Sequence, residues 1–401
     1  MESPWILVLS HEFPPLGGGA GKNLCLLCRE LTRRGVRVKV WTVDPGQRNQ
    51  GKHEFPVEYI ATERTERFEA GFKGLRAYIR GVCALGWRMR SERPALVFAN
   101  LAVPAGVAGW FLSRLLRAPM AVWHHGNDVH GGGPDGPGLV QRFMLRRIWK
   151  RSVLNFYVSQ GLLDQALALG RPAKPCILPP CLSPDILAQA AEGPGTVEPE
   201  KRCFLFLGRF EPVKHPLLAL EALLLLKQRK AVTRRLRMVG SGELQNDIVN
   251  TIRNDYLTEF VALESAVSFD KVPELMRSAY ALVVPSRIEG FSSTVLEAAY
   301  FGVPAIASDV QGIRDFVRHG ETGLLFPEND AAALAEALKS LSENPALRDE
   351  LGRNARAAVE PFRPERVADV FLSGVADCAP GLVPRDLPLT DQPKGKQGIA
   401  A

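Results

Sequence analysis

The stretch VVPSRIEGFSSTVLEAAYFGVPAIAS, Val283 to Ser308, holds the residues best placed to do chemistry in this 401-residue chain. Glu289 and Glu297 flank a loop that leaves an apolar strand and enters a helix near Ser292–Thr294. The main-chain amides of Gly290, Phe291, Ser292, Ser293 and Thr294 would point out of that helix start, where they and the helix dipole favour an anion. A diphosphate can lie there while the two carboxylates accept hydrogen bonds from sugar hydroxyls. Glu297 has a second reading, because Thr294-x-x-Glu297 has the spacing of a capping box. Ser286 and Ser292 can equally act as caps.

A second anion-seeking stretch is PPLGGGAGKN, Pro14 to Asn23, between the apolar run Trp5–Leu9 and a leucine-rich segment. It is not a nucleotide-triphosphatase loop: Leu16 stands where the first Gly must be, and Asn23 where a magnesium-binding hydroxyl is needed. The dinucleotide fingerprint fails as well, with Lys22 in place of its last Gly. What remains is a glycine-rich turn between a strand and a helix, suited to any anion.

The elements that must position these residues alternate regularly. Strands are expected near Trp5–Leu9, Val36–Trp41, Ala95–Phe98, Ala121–Trp123 and Leu154–Val158, with helices at Lys22–Arg34 and Ala105–Leu116. After an Ala-, Glu-, Gly- and Pro-rich stretch the rhythm restarts, with strands at Cys203–Leu207, Leu236–Val239, Ala281–Val284 and Ala305–Ala307, and a helix at Pro216–Gln228. Such alternation predicts parallel sheets. The length exceeds what one core sustains. Two Rossmann-like α/β domains are therefore expected, over 1–185 and 202–362, with a linker at 186–201. A helix at 363–379 is expected to pack back on the first domain, and a disordered tail to follow from 380 to 401. Two such domains make a deep interdomain cleft, and ligands bind outside the carboxyl ends of the strands.

Composition narrows the class. A 46% hydrophobic and 23% charged chain is ordinary for a soluble globular protein. No apolar run reaches the roughly 18 residues of a membrane span, and nothing resembles a signal peptide, so a cytoplasmic location is expected. Cys25-Leu-Leu-Cys28 lacks the partners of a zinc site and reads as a buried helix face. The first 200 residues carry 25 Lys/Arg against 17 Asp/Glu, and the remainder 25 against 26. The basic excess therefore lies wholly in the first half, which should face an anionic partner.

Taken in order, PPLGGGAGKN, HHGNDV, GRFEPVKHP, VGSGEL, EGFSSTVLEA, GVPAIASDVQGI and HGETGLLF resemble the retaining GT-B glycosyltransferases of family 4. The resemblance spans about residues 5–375. It implies transfer of a sugar from a nucleotide-diphosphate donor, UDP- or GDP-linked, to a hydroxyl of a glycan or glycolipid, with the anomeric configuration kept. It also implies work in bacterial polysaccharide, lipopolysaccharide or glycolipid synthesis. No Asp-x-Asp is present to hold a cation. Arg209 and Lys214 are expected to neutralise the departing diphosphate instead, with no metal and no cofactor. By the same resemblance Glu289 contacts the donor sugar, Glu297 the ribose, and Gly17 and Gly18 approach the leaving phosphate. His125 is expected beside the donor sugar, with Asp128 orienting it or capping the next loop. His124 adjoins it, and the two histidines can exchange roles, so His124 and Asp128 are assigned to the acceptor side. One departure is His215, where the family commonly has Gly after the Lys.

Two basic segments mix cations with large apolar residues: RFMLRRIWKRSV, Arg142 to Val153, and GFKGLRAYIRGVCALGWRMR, Gly71 to Arg90. They fit either a peripheral contact with an anionic membrane surface or packing helices with cationic outer faces. No nucleic-acid recognition motif accompanies them. Two alternatives stay open: a GT-B epimerase or phosphorylase, and a non-catalytic nucleotide-binding protein.

Overall fold

The computed structural model describes residues 4–15, 18–44, 52–61, 72–131, 136–183, 186 and 202–383. It divides into two compact units, Met1–Cys181 with Phe362–Ala401, and Leu182–Pro361.

In the first unit the strands are β1 (Trp5–Leu9), β2 (Arg37–Val43), β3 (Val57–Ile60), β4 (Leu96–Asn100), β5 (Met120–His124), β6 (Leu154–Tyr157) and β7 (Pro175–Ile177). They form one sheet in the order β3-β2-β1-β4-β5-β6-β7, and every pairing is parallel. The helices are α1 (Gly19–Arg33), α2 (Phe72–Arg88), α3 (Val107–Leu115), α4 (Asn127–His130), α5 (Leu139–Arg151) and α6 (Gln160–Leu169). Strands such as Leu96–Asn100 are buried along their whole length, as a parallel sheet covered on both faces requires.

The second unit repeats the plan with β8 (Cys203–Leu207), β9 (Leu236–Val239), β10 (Val261–Glu264), β11 (Ala279–Val284), β12 (Ala305–Ser308) and β13 (Gly323–Phe326), ordered β10-β9-β8-β11-β12-β13. Its helices are α7 (Pro216–Gln228), α8 (Gln245–Asn254), α9 (Val272–Ser278), α10 (Ser293–Tyr300), α11 (Gln311–Arg314), α12 (Ala331–Glu343) and α13 (Pro345–Ala357). In both units the chain order reverses beside the first strand, between β1 and β4 and between β8 and β11. That reversal is where doubly wound sheets open a crevice at the strand carboxyl ends.

The last helix, α14 (Pro364–Val375), belongs to the first unit. Phe371 packs edge-on to Phe98 of β4, and Arg34 at the end of α1 donates to Asp369 at 2.6 Å and to the Glu365 carbonyl at 2.7 Å.

The sequence reading did not place β3, β7, β10 and β13, four edge strands of three or four residues. Each short run is interrupted or bounded by a charged, proline or glycine residue: Glu58 in β3, Pro175 in β7, Glu264 in β10 and Gly323 in β13. Helix α1 starts at Gly19 rather than Lys22, taking two glycines into its first turn. Pro380–Leu382 form a 3-10 turn with Leu382 buried, so the ordered chain reaches past the expected tail boundary. The rest of that tail, and residues 187–201 of the expected linker, lie outside the described residues. Among the described residues no helix is long and apolar enough to cross a membrane.

Candidate functional site

At the carboxyl edge of the second sheet, Lys214 and Glu289 are brought together. Lys214 sits in the 3-10 turn Pro212–Lys214 after β8, and Glu289 in the loop after β11. The Lys214 ammonium donates to Glu289 Oε1 at 2.6 Å, and the Ser286 hydroxyl donates to the same oxygen at 2.9 Å. Both bonds fall on Oε1, so Oε2 keeps its acceptor capacity. The Glu289 side chain is 8% exposed and that of Lys214 26%, so the pair is only weakly screened by water.

Several contacts fix this loop. Arg287 N–H bonds to the Val213 carbonyl at 2.9 Å, joining the Lys214 turn to the Glu289 loop. The Ser308 hydroxyl, at the end of β12, donates to the Ser286 carbonyl. Gly312 of α11 lies so close beneath that a Cβ there would stand 2.1 Å from the Glu289 carbonyl oxygen, so only glycine fits. Ser308 and Gly312 were not singled out in the sequence. Their signal was their place in ASDVQGI, just after a strand end.

Arg209 follows β8 and the turn residue Gly208, but its guanidinium turns to Glu211, 2.7 Å away, and is 54% exposed. Each expected phosphate-binding cation thus has its own carboxylate partner. His215 adopts a left-handed backbone with φ 48°, the conformation that suits the Gly commonly found there. The Arg287 guanidinium donates to His215 Nε2 at 3.2 Å, and burial lowers the imidazole pKa, with the Arg287 charge adding to the effect.

Helix α10 has Ser292 at its N-cap position, and no side chain caps it. The amides of Ser293 and Thr294 therefore precede the first intrahelical bond, as an anion site requires. Gly290 and Phe291 lie in the loop just before. Glu297 is the fifth residue of the helix. The capping-box spacing would need it at the third, so the local-cap reading does not apply.

At the carboxyl edge of the first sheet the arrangement differs. His124 ends β5 and is wholly buried; its ring stacks on Tyr157 at 4.7 Å between centroids. The Trp149 indole, which can only donate, gives its proton to His124 Nε2 at 3.3 Å. The imidazole proton therefore sits on Nδ1 and is donated to Asp128 Oδ2 at 2.7 Å. Asp128 also accepts the amides of Ala102, His125 and Gly126. Burial alone would raise the Asp128 pKa, but His124 and these hydrogen bonds outweigh it and hold the carboxyl well below its usual range.

This burial bears on the acceptor-side assignment. His124 and Asp128 are sunk in the protein and brace the start of the loop. Asp128 orients the His124 ring and only the main chain of His125.

His125 is the histidine that keeps some exposure. Its Nε2–H donates to Asn100 Oδ1 at 2.8 Å, and its ring packs on Trp123 at 4.4 Å. Burial lowers its pKa to about 3, with Asp128 opposing and His124 reinforcing the shift, so the ring is neutral at ordinary pH. Asn100, at the end of β4, in turn donates to Ser10 Oγ at 3.2 Å and to the Ala20 carbonyl at 3.4 Å. The residues at the β1/β4 reversal thus tie His125 to the glycine-rich turn. The sequence reading passed over Asn100 and Ser10, although both close strands at the switch point.

In the glycine-rich turn itself, the Gly18 amide donates to Glu12 Oε2 at 3.4 Å. Gly21 carries the steric demand there: a Cβ would fall 2.6 Å from the Glu12 carbonyl oxygen. Gly17 lies outside the described residues. Cys25 and Cys28 are buried in α1, and burial pushes the Cys25 thiol up to about 11, so both act as core residues.

Comparison with known proteins agrees with this layout. The model for a glycosyl transferase 4-like domain matches residues 18–181, and that for glycosyl transferases group 1 matches 192–358. The chain is 27% identical over 415 aligned residues to a D-inositol 3-phosphate glycosyltransferase of Kineococcus radiotolerans, covering 91% of this chain and 93% of that one. Its fold is similar to sucrose-phosphate synthase from Thermosynechococcus elongatus, with TM-score 0.76, 21% identity, and coverage of 91% and 96%. It is also similar to Anabaena HepE in complex with UDP and glucose, with TM-score 0.73, 19% identity, and coverage of 93% and 100%. Paired parallel sheets of this order, with motifs of the family at their carboxyl edges, make the chain a glycosyltransferase of the group 1, family 4-like type with the GT-B fold.

Proposed function

We propose that the chain is a retaining, metal-independent glycosyltransferase that takes its sugar from a nucleotide-diphosphate donor, UDP- or GDP-linked. The observation that carries this reading is the Lys214–Glu289 pair beside the uncapped start of α10. A diphosphate placed there displaces Glu289 from Lys214 and Glu211 from Arg209, and gains both cations and the amides of Ser293 and Thr294. Charge that develops on the leaving diphosphate is then met by fixed groups of the chain. Glu289, released from Lys214 but still held by Ser286, accepts hydrogen bonds from sugar hydroxyls. Glu297 takes the ribose hydroxyls.

In the first unit, His125 works as a neutral hydrogen-bonding group beside the donor sugar. Its Nε2 proton is committed to Asn100, leaving Nδ1 as an acceptor. The acceptor is a glycan or glycolipid hydroxyl of bacterial polysaccharide, lipopolysaccharide or glycolipid synthesis. A peripheral contact with an anionic membrane is supported by α5, whose first turns expose Leu139, Val140 and Phe143 next to Arg142 and Arg147.

A thermal-shift panel of UDP, GDP, ADP and TDP sugars identifies the donor, which should stabilise the protein by mass action. With that donor, Glu289→Ala should lower transfer by roughly 10³-fold while leaving nucleotide affinity within about threefold. Transfer by Glu289→Ala at the wild-type rate would end the reading.

A further inference from the structure

We propose that the opposite edge of the first sheet carries a second anion site, for a phosphate ester, built from Arg114, Arg117 and Arg151. These residues line a cavity of about 580 Å³ together with Ser113, Pro119 and Val153. That volume suits a small phosphorylated molecule or a lipid headgroup. The cavity opens at Met120, where β5 begins. His125 lies beyond the other end of the strand, roughly 16 Å away at about 3.3 Å per residue. The site is therefore separate from the proposed donor site, and nothing in the transfer reaction uses it.

The electrostatics are one-sided. From residue 93 to 163 the chain has only Asp128, which is buried against His124, and Asp135 as acids. Among the described residues no carboxylate pairs with Arg114, Arg117 or Arg151. The ordinary explanation for cations here is the negative end of a helix, and α3 and α5 both end at this cavity. Two helix ends supply about −0.5 each, against three guanidiniums. An excess of about two positive charges remains, which matches a phosphomonoester of about −1.5 to −2 near neutrality.

Two of the arginines are also held in place. Ser113 is buried, gives its hydroxyl proton to the Trp110 carbonyl at 3.1 Å, and accepts Arg151 Nε–H at 3.2 Å. That bond fixes the Arg151 stem and leaves its two terminal nitrogens for a ligand. Arg114 stacks on the Trp110 ring at 5.3 Å. Arg117 sits just past α3 with φ 51°, a left-handed position at a helix end where glycine is the unstrained choice.

The test measures binding, so it is independent of whether the chain transfers sugars. Glycerol 3-phosphate and inorganic phosphate are titrated against sodium chloride at matched ionic strength, following thermal stability. Vesicles of phosphatidylglycerol in phosphatidylcholine are compared with phosphatidylcholine alone by co-sedimentation. Stabilisation by the soluble esters identifies a free ligand; recruitment to the anionic vesicles alone, if it persists when Arg142 and Arg147 of the exposed α5 surface are replaced by Gln, identifies a lipid headgroup. In either case the Arg114→Gln/Arg151→Gln double variant should bind about tenfold more weakly. Arg117→Gly should be at least as stable as the wild type, because it relieves the left-handed residue, and yet lose the same response. Lys150→Gln/Arg171→Gln removes two charges from a neighbouring cavity that both residues line, and should leave the response unchanged. The proposal is overturned if no probe acts beyond the salt control. It is equally overturned if the Lys150/Arg171 variant loses as much as the Arg114/Arg151 variant.

Discussion

The two sheets share a strand order, yet their carboxyl edges hold their polar groups in opposite ways. In the first unit His124 and Asp128 are buried, linked by hydrogen bonds, and matched to Trp149 and the loop amides. In the second, Lys214 and Arg209 are partly exposed and paired with Glu289 and Glu211 respectively. A buried network fixes geometry, because leaving any member unpaired is costly. The Arg209–Glu211 pair, with its guanidinium 54% exposed, costs little to open, whereas the more buried Lys214–Glu289 pair opens only against a charge that replaces its partner. One edge is a closed network; on the proposed function, the other exchanges partners when a diphosphate arrives.

The largest expected effect falls on the exchanging edge. Lys214→Ala should lower turnover by about 10²–10³-fold, as loss of one fixed transition-state group does. Arg209→Ala should lower it by only about tenfold, since a 54% exposed guanidinium holds its position less firmly. Steady-state kinetics of the two variants with the donor from the nucleotide panel make the comparison. Equal losses would mean that burial and pairing do not set the contributions of the two cations.

On the fixed edge, Asp128→Ala should cost stability more than catalysis. It leaves His124 Nδ1–H and three loop amides without their acceptor, at about 3 kcal/mol by urea unfolding. A loss below about 1 kcal/mol would show that the network is not a brace.

A smaller effect concerns pH. His125 has its pKa lowered from 6.5 to about 3, mainly by burial. The unfolded chain therefore binds a proton at this residue below about pH 6.5 that the folded chain refuses. Stability is full above that pH and falls as pH drops toward 3. Asp128, depressed below its usual range, adds a loss only below about pH 3.8. His125 alone should lower the unfolding free energy by about 2 kcal/mol between pH 6.5 and 4.5. His11, His53 and His215, also lowered by burial, add to the decline, so His125→Asn should make the slope shallower without abolishing it. An unchanged slope would place His125 outside the low-pH response.

Much of this was legible in the residues. Regular alternation gave two parallel sheets, and the motifs put Arg209, Lys214, Glu289 and His125 past strand ends, which is where they lie. The edge strands β3, β7, β10 and β13 were not legible, because Glu58, Pro175, Glu264 and Gly323 interrupt or bound their short apolar runs. Nor was the choice between His124 and His125. Adjacent residues on a strand point to opposite faces, and only tertiary packing shows which face holds Trp149 and Tyr157. Ser308 and Gly312 escaped notice for a related reason: their roles depend on a loop far away in sequence passing over them.

The claim on which the account turns is that side-chain cations and helix amides of this chain hold the diphosphate. Calorimetric binding of the nucleoside diphosphate chosen by the panel, measured in EDTA, tests it most directly. The wild type should keep full affinity in chelator, and the Lys214→Ala/Arg209→Ala double variant should bind about thirtyfold more weakly. Affinity that vanishes in EDTA, or that survives the double substitution, would contradict it.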